Sequence, residues 1–347
     1  MNTYGIHTFE VMIPHLTEQD YYTLRDKLKP ISEYIKSEKY YLVRTQRDSG
    51  IRIRLYPNPN YSPYLKVIVN PWKLLNKVKK PMDNTNILLS GFDTAALHDC
   101  LCEQLRIYLG DEFGIDSFKL TRIDCTTDLT LDAPIYCGAY INLVRNSIWE
   151  NPKCGERWEN MYDDDNPETY LHFYRLCQDG YYKFTVYDKL YDLFRTKKID
   201  KKSYKYGLLR FELSFEHRKI NEVKKAQGTD DIMGLVKYYT EHSEELLKNF
   251  IKKRFYSGDY YSLGAVHEYL NNVSSGKMRN KLLTLLDGSE DMSRKELKKK
   301  MCRIFKTEWK IRAVKSALNE LKINPVLIPC RYGFEKLPSL HKIFGIE

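Results

Sequence analysis

The sequence predicts an α+β fold. A domain of antiparallel sheet with flanking helices occupies residues 1–220, and a smaller, mainly helical and basic domain follows over residues 221–347. Three observations carry this. Period-2 alternation crowds into the first 220 residues and is cleanest at 207–217, where Leu209, Phe211, Leu213 and Phe215 alternate with Arg210, Glu212, Ser214 and Glu216. From about residue 218 the apolar spacing switches to that of helices. Between two strand-forming runs stands Asp179-Gly180, a pair that tolerates the φ > 0 of a tight hairpin turn and so marks antiparallel pairing.

In chain order, residues 4–13 (YGIHTFEVMI) read as a strand. Thr17 is an N-cap for a helix that should run to Lys29, before Pro30. Residues 39–46 and 51–56 alternate as strands around a Ser49-Gly50 turn, and 65–69 is another strand. Pro71 opens a helical turn from its N1 position. Asp93 caps a helix over 94–109 that Gly110 ends. Residues 118–129 (FKLTRIDCTTDL) are a strand, with Arg122, Asp124, Thr126 and Asp128 on one face and Ile123, Cys125, Thr127 and Leu129 on the other. Residues 134–147 read as a helix and 148–168 as a loop, the run Asp163 to Asp165 being a solvated part of it. Lys197 to Lys205 is a basic linker. A long helix over 231–254, capped at Thr229 to Asp231, is followed by helices near 260–272, 276–286, 292–303 and 306–322.

A two-residue hairpin loop fixes the register of its strands by arithmetic. Gln178 then faces Tyr181, Tyr174 faces Thr185, and His172 faces Tyr187. One sheet face carries Tyr170, His172, Tyr174, Thr185, Tyr187 and Lys189. Leu171, Phe173, Phe184 and Val186 go to the core.

The chain has 56 Lys and Arg against 46 Asp and Glu, a net charge of +10 and a pI near 8.9. This balance favours a polyanionic partner, nucleic acid ahead of an acidic membrane, although a solvated lysine surface has the same composition. The 28 tyrosines suit stacking on unpaired bases; an A/T-rich genome would also enrich Tyr and Lys. The eight cysteines are scattered and form no CxxC, and Cys100-x-Cys102 is poor zinc spacing. The first residues lack a signal-peptide pattern, and no apolar run approaches the roughly 20 residues of a membrane span. A cytoplasmic protein with reduced thiols and no membrane partner is expected.

Three strands thus put reactive groups on one face: Asp124 and Asp128, then His172, Tyr187 and Lys189, then Glu212. Carboxylates with an imidazole suit Mg²⁺ or Mn²⁺. A nearby cation lowers a phenol's pKa, and Lys189 reads as sharing the strand face of Tyr187. These parts describe a tyrosine transesterase acting on a phosphodiester. Taken singly, each residue also reads blandly: Tyr187 as a packed tyrosine, His172 as a cross-strand neighbour, Glu212 as an exposed strand residue.

The order Thr121-Arg-Ile-Asp124, Val186-Tyr-Asp-Lys189, Leu209-Arg-Phe-Glu212 resembles the replication initiators of filamentous phages and related plasmids, the gene II/gene X type. Ile51 to Tyr56 followed by Tyr64 to Leu75 is similar to that family's N-terminal strands and turn, with Asn70 where Ser is usual. The resemblance covers residues 1 to about 220. It implies a rolling-circle nuclease-like fold and an enzyme that nicks one strand at an origin through a 5′-phosphotyrosine intermediate, with origin duplex and single strand as substrates. A host helicase and polymerase would be partners in a bacterial cytoplasm. By motif position Tyr187 matches the nucleophile, Lys189 the motif lysine, and Asp124 and Glu212 the acidic metal positions. His172 and Asp128 enter as further metal ligands from their strand faces alone, since the paired His-hydrophobe-His of other rolling-circle nucleases is absent. Tyr191 reads as a surface tyrosine. Arg122, Arg210, Lys299, Arg303, Lys306 and Lys310 are the expected DNA contacts. The same chemistry would serve a conjugative relaxase, and the same fold a non-catalytic origin-binding protein.

Overall fold

The computed structural model describes residues 3–32, 41–43, 50–57, 61–76, 93–147, 154–160, 170–178, 180–196, 199–200, 204–273 and 276–346. Its centre is a nine-stranded sheet of β1 (Thr3–Ile13), β2 (Tyr41–Val43), β3 (Ile51–Tyr56), β4 (Tyr64–Val69), β5 (Lys119–Leu131), β6 (Cys154–Asn160), β7 (Leu171–Gln178), β8 (Tyr182–Asp188) and β9 (Gly207–Glu216). The spatial order is β2-β3-β4-β1-β5-β9-β8-β7-β6, and every neighbouring pair is antiparallel. The expected turn residue Ser49, the acidic run Asp163 to Asp165, Asp179 and most of the linker 197–205 lie outside the described residues.

One sheet face is apolar and covered by helices. Ile6, Phe9, Val11, Ile123, Cys125, Phe184, Val186, Phe211 and Leu213 belong to a single core. It is closed by α4 (Pro134–Ser147), α6 (His217–Gln227), α7 (Ile232–Glu241) and α8 (Ser243–Arg254), which contribute Leu143, Ile220, Val236 and Ile251. The opposite face carries the polar halves of the same alternating strands, as a half-solvated antiparallel sheet allows.

The capped helices stand where their caps placed them. Thr17 and Asp20 form a capping box at α1 (Glu18–Leu28), α2 is Pro71–Asn76, and Asp93 and Gly110 bound α3 (Thr94–Leu109). The expected long helix 231–254 is broken at His242 into α7 and α8. The expected loop 148–168 contains β6, a polar edge strand whose composition hides it.

The boundary expected at residue 220 does not divide the cores. Helices α6 to α8 close the core of the sheet, and so do Val326, Ile328, Leu337, Leu340 and Phe344 near the C-terminus. A second core gathers Val266, Leu270, Leu282, Leu286, Leu297, Met301, Phe305, Val314 and Leu318. These come from α9 (Leu263–Val273), α10 (Gly276–Leu286), α11 (Arg294–Phe305) and α12 (Glu308–Glu320). Among the described residues no helix is long and apolar enough to cross a membrane.

Candidate active site

Three rungs run across the polar face, each one residue wide. The first opposes Arg157, Arg175, Thr185, Glu212 and Thr126 in turn, from β6 to β5. The second opposes Phe173, Tyr187, Arg210 and Asp128. The third opposes Lys183, Ser214 and Asp124. Strand pairing alone therefore brings Tyr187, Glu212 and Asp124 to one face, where they line a cavity of about 390 Å³.

The hairpin register differs from expectation by one residue. Tyr187 faces Phe173, not His172, and Gln178 faces Tyr182, not Tyr181. Tyr181 is spent on the turn: its N–H donates to Gln178 O at 3.0 Å, while its carbonyl accepts from Glu216 N at 2.9 Å. Gly180 sits at φ +75°, and a Cβ there would lie 3.0 Å from Arg218 Cδ. A one-residue slip moves every side chain of one strand to the other face. Phe173 thus leaves the expected core position and lines the cavity. Tyr174 is fully buried among the core residues instead. His172 is 6% exposed and packs its ring 4.5 Å from that of Tyr191. Neither His172 nor Tyr191 lines the cavity, and Tyr191 is buried, not on the surface.

A β-bulge supplies two groups that alternation cannot reveal. Between the pairs Ile6–Cys125 and Phe9–Ile123, two residues of β1, His7 and Thr8, stand against Asp124 alone. Thr8 Oγ1 donates a short hydrogen bond to Asp124 Oδ2. His7 Nδ1 lies 3.0 Å from Glu212 Oε2. Burial, aided by the Arg210 charge, pushes His7 below its ordinary range despite Glu212. A neutral imidazole here donates from Nδ1 and leaves Nε2 as an acceptor. Burial works against a charged Glu212, but the His7 hydrogen bond and the nearby cations outweigh it and hold its pKa down. Asp124 is raised, by burial first and with Glu212 adding to it, against the pull of Arg122. Two carboxylates pushed apart in this way share one electrostatic site.

Arg122 Nε lies 3.2 Å from Asp124 Oδ1, and Arg122 Nη2 donates to Thr8 Oγ1 at 3.3 Å. Arg210 is fully buried and grips Asp128 with Nε and Nη2, both at 2.6 Å. Arg210 is therefore a structural ion pair beneath the site and not the expected DNA contact. Asp128 is occupied by it and is not an open metal ligand. Lys189 does not continue β8; it is the first residue of α5 (Lys189–Arg195). Its ammonium still lies 5.7 Å from the Tyr187 ring centroid and 3.5 Å from Asp192. Burial, reinforced by Glu212, pushes the Tyr187 phenol up, so it rests protonated.

His7, Asp124 and Glu212 are suitable donor types for a hard divalent cation, and Asp124 Oδ1 is buried with no aligned hydrogen bond, its near neighbour being Arg122 Nε at 3.2 Å. Among the described residues, no group of three or more His, Cys, Asp or Glu is placed to hold a metal ion. The three side chains match such an ion in donor type and line one cavity, but they are not grouped as a ready site. Farther from the sheet, Lys299 and Arg303 are exposed on α11, Lys306 is exposed in the left-handed turn after it, and Lys310 lies 5.7 Å from the ring of Trp309 on α12.

No family model matches the chain, and no curated protein matches it. Among solved structures, it is similar to a rolling circle replication initiator protein from Geobacillus stearothermophilus, at 10% identity over 74% of this chain and 86% of that one, with a TM-score of 0.36.

Proposed function

We propose that the chain nicks one strand of DNA at a replication origin and rejoins it, starting rolling-circle replication, with Tyr187 as nucleophile. The observation that supports this most is the position of Tyr187. It shares one cavity with Asp124, Glu212 and His7 toward β1, with Arg157 and Arg175 toward β6, and with Lys183 on its own strand. In this reading the phenolic oxygen attacks the phosphorus of a phosphodiester, and the bond to the 3′ oxygen breaks. The 5′ phosphate stays on the tyrosine, and the 3′ oxygen leaves with the phenolic proton. Attack by a 3′-OH on the phosphotyrosine reverses the step and rejoins the strand. The free 3′-OH would prime a host polymerase, with a host helicase opening the duplex ahead.

Burial opposes the phenolate, so departure of its proton needs positive charge nearby. Arg210, directly opposite Tyr187, and Lys189, beside its ring, provide fixed charge. Asp124 and Glu212, with His7, would hold Mg²⁺ or Mn²⁺, which when bound polarises a phosphate oxygen. The exposed cations of α11 and of the turn after it would hold the duplex by its phosphates.

The test is incubation of the protein with supercoiled DNA of its own replicon and Mg²⁺ or Mn²⁺. Nicked circles with protein covalently attached are expected. Tight binding with neither nick nor adduct would leave a non-catalytic origin-binding protein.

A further inference from the structure

The outer strands of the sheet carry a feature that the nicking step does not use. Arg157 on β6 stands directly opposite Arg175 on β7. Both guanidinium groups line the cavity, so the two strands bring two positive charges to one edge of it. Arg175 is held in place: its Nε donates to Thr185 Oγ1 at 3.1 Å, and Thr185 is buried. Its guanidinium carbon lies 5.0 Å from the centroid of the Phe173 ring. Phe173 in turn opposes Tyr187, with ring centroids 6.5 Å apart. Arg157, Arg175, Phe173 and Tyr187 line the same cavity. Neighbouring strands are about 5 Å apart, so the arginine pair sits roughly one and two strand spacings from the tyrosine.

An aromatic ring stacked with a guanidinium is a platform for an unpaired base, and a pair of arginines is a seat for its phosphate. We propose that β6 and β7 form a single-stranded DNA subsite next to the reacting phosphodiester. Phe173 and Arg175 stack one unpaired base, and Arg157 with Arg175 holds the adjoining phosphate. The strand would then cross the sheet from its cationic β6 side toward its acidic β5 side, passing over Tyr187. The position of the reacting phosphate in this proposal rests on the nicking reading; the subsite itself does not.

Binding can be read without chemistry in the full-length chain carrying Tyr187→Phe. The probes are a labelled mixed-sequence DNA strand of about 15 nucleotides, within the size such sites cover, and the same backbone made abasic throughout. Phe173→Ala should weaken the intact strand about five- to a hundredfold and leave the abasic strand unchanged. Phe173→Trp should restore the intact strand, which a merely structural role would not do. Arg157→Gln with Arg175→Gln should weaken both strands and flatten the log–log salt dependence by about 1.4. Equal weakening of both strands by Phe173→Ala, no weakening of either, or an unchanged salt slope in the arginine pair would overturn the proposal. If no DNA adduct ever forms but Phe173 still confers base dependence, the nicking reading falls and the subsite stands. An adduct without that base dependence has the opposite meaning.

Discussion

At the scale of single residues, the site separates groups that hold the structure from groups that face the cavity. Asp128 and Arg210 belong to the first kind. Removing one partner of a buried ion pair strands the other charge, so Asp128→Ala should destabilise the fold by about 3–5 kcal/mol in denaturant unfolding. Little change would mean that Arg210 finds another partner. Asp124 and Glu212 belong to the second kind. Asp124→Asn and Glu212→Gln should each shift metal-dependent cleavage to higher Mg²⁺ while leaving duplex affinity nearly intact, because that affinity comes from Lys and Arg. A metal titration of nicking that is unchanged in both variants would remove them from the cation site. That Asp124, Tyr187 and Glu212 stand on polar strand faces was legible because each sits in a strand-forming run, and the structure brings the three to one cavity. His7 was not, because the bulge in β1 leaves no trace in an alternation pattern. A histidine inside a strand-forming run was the available signal.

At the scale of elements, legibility followed local rules. Caps are local, so α1 and α3 could be read to within a residue. The β7–β8 register was not local: the β9–α6 junction takes Tyr181 into the turn and so turns Phe173 toward the cavity and His172 away from it. The edge strand β6 was missed because Cys154–Asn160 has few strand formers. The junction of β8 with α5 makes a prediction of its own. Asp188 caps α5 by accepting from Tyr191 N at 3.0 Å, and Tyr204 donates its hydroxyl to the same carboxyl at 2.7 Å. Burial nevertheless raises its pKa to about 6 from 3.8. A folded-state pKa above the unfolded one means stability that is full at low pH and lost as pH rises through the folded value. Asp188 should therefore cost on the order of 3 kcal/mol between about pH 4 and 6.5. Asp188→Asn keeps a capping oxygen but cannot ionise. The difference in unfolding free energy between wild type and variant should move against the wild type across that window, and a flat difference would contradict the account.

At the scale of the whole molecule, two cores divide the labour. The sheet domain holds the cavity, and the second core displays α11 and the turn after it with Lys299, Arg303 and Lys306 exposed. Replacing Lys299, Arg303, Lys306 and Lys310 together with Gln should flatten the salt dependence of duplex binding by up to about 3–4 in log–log slope. Cleavage of an already single-stranded oligonucleotide should survive. An unchanged duplex slope would make the basic run a solvated surface and place the duplex elsewhere. The most direct test of Tyr187 as nucleophile is to trap the protein–DNA adduct with Mg²⁺, digest it, and locate the nucleotide-bearing peptide by mass spectrometry, in wild type and in Tyr187→Phe. The account predicts a phosphodiester-linked nucleotide on Tyr187 and no adduct from the folded Phe variant. A nucleotide on any other tyrosine, or an undiminished adduct from Tyr187→Phe, would contradict it.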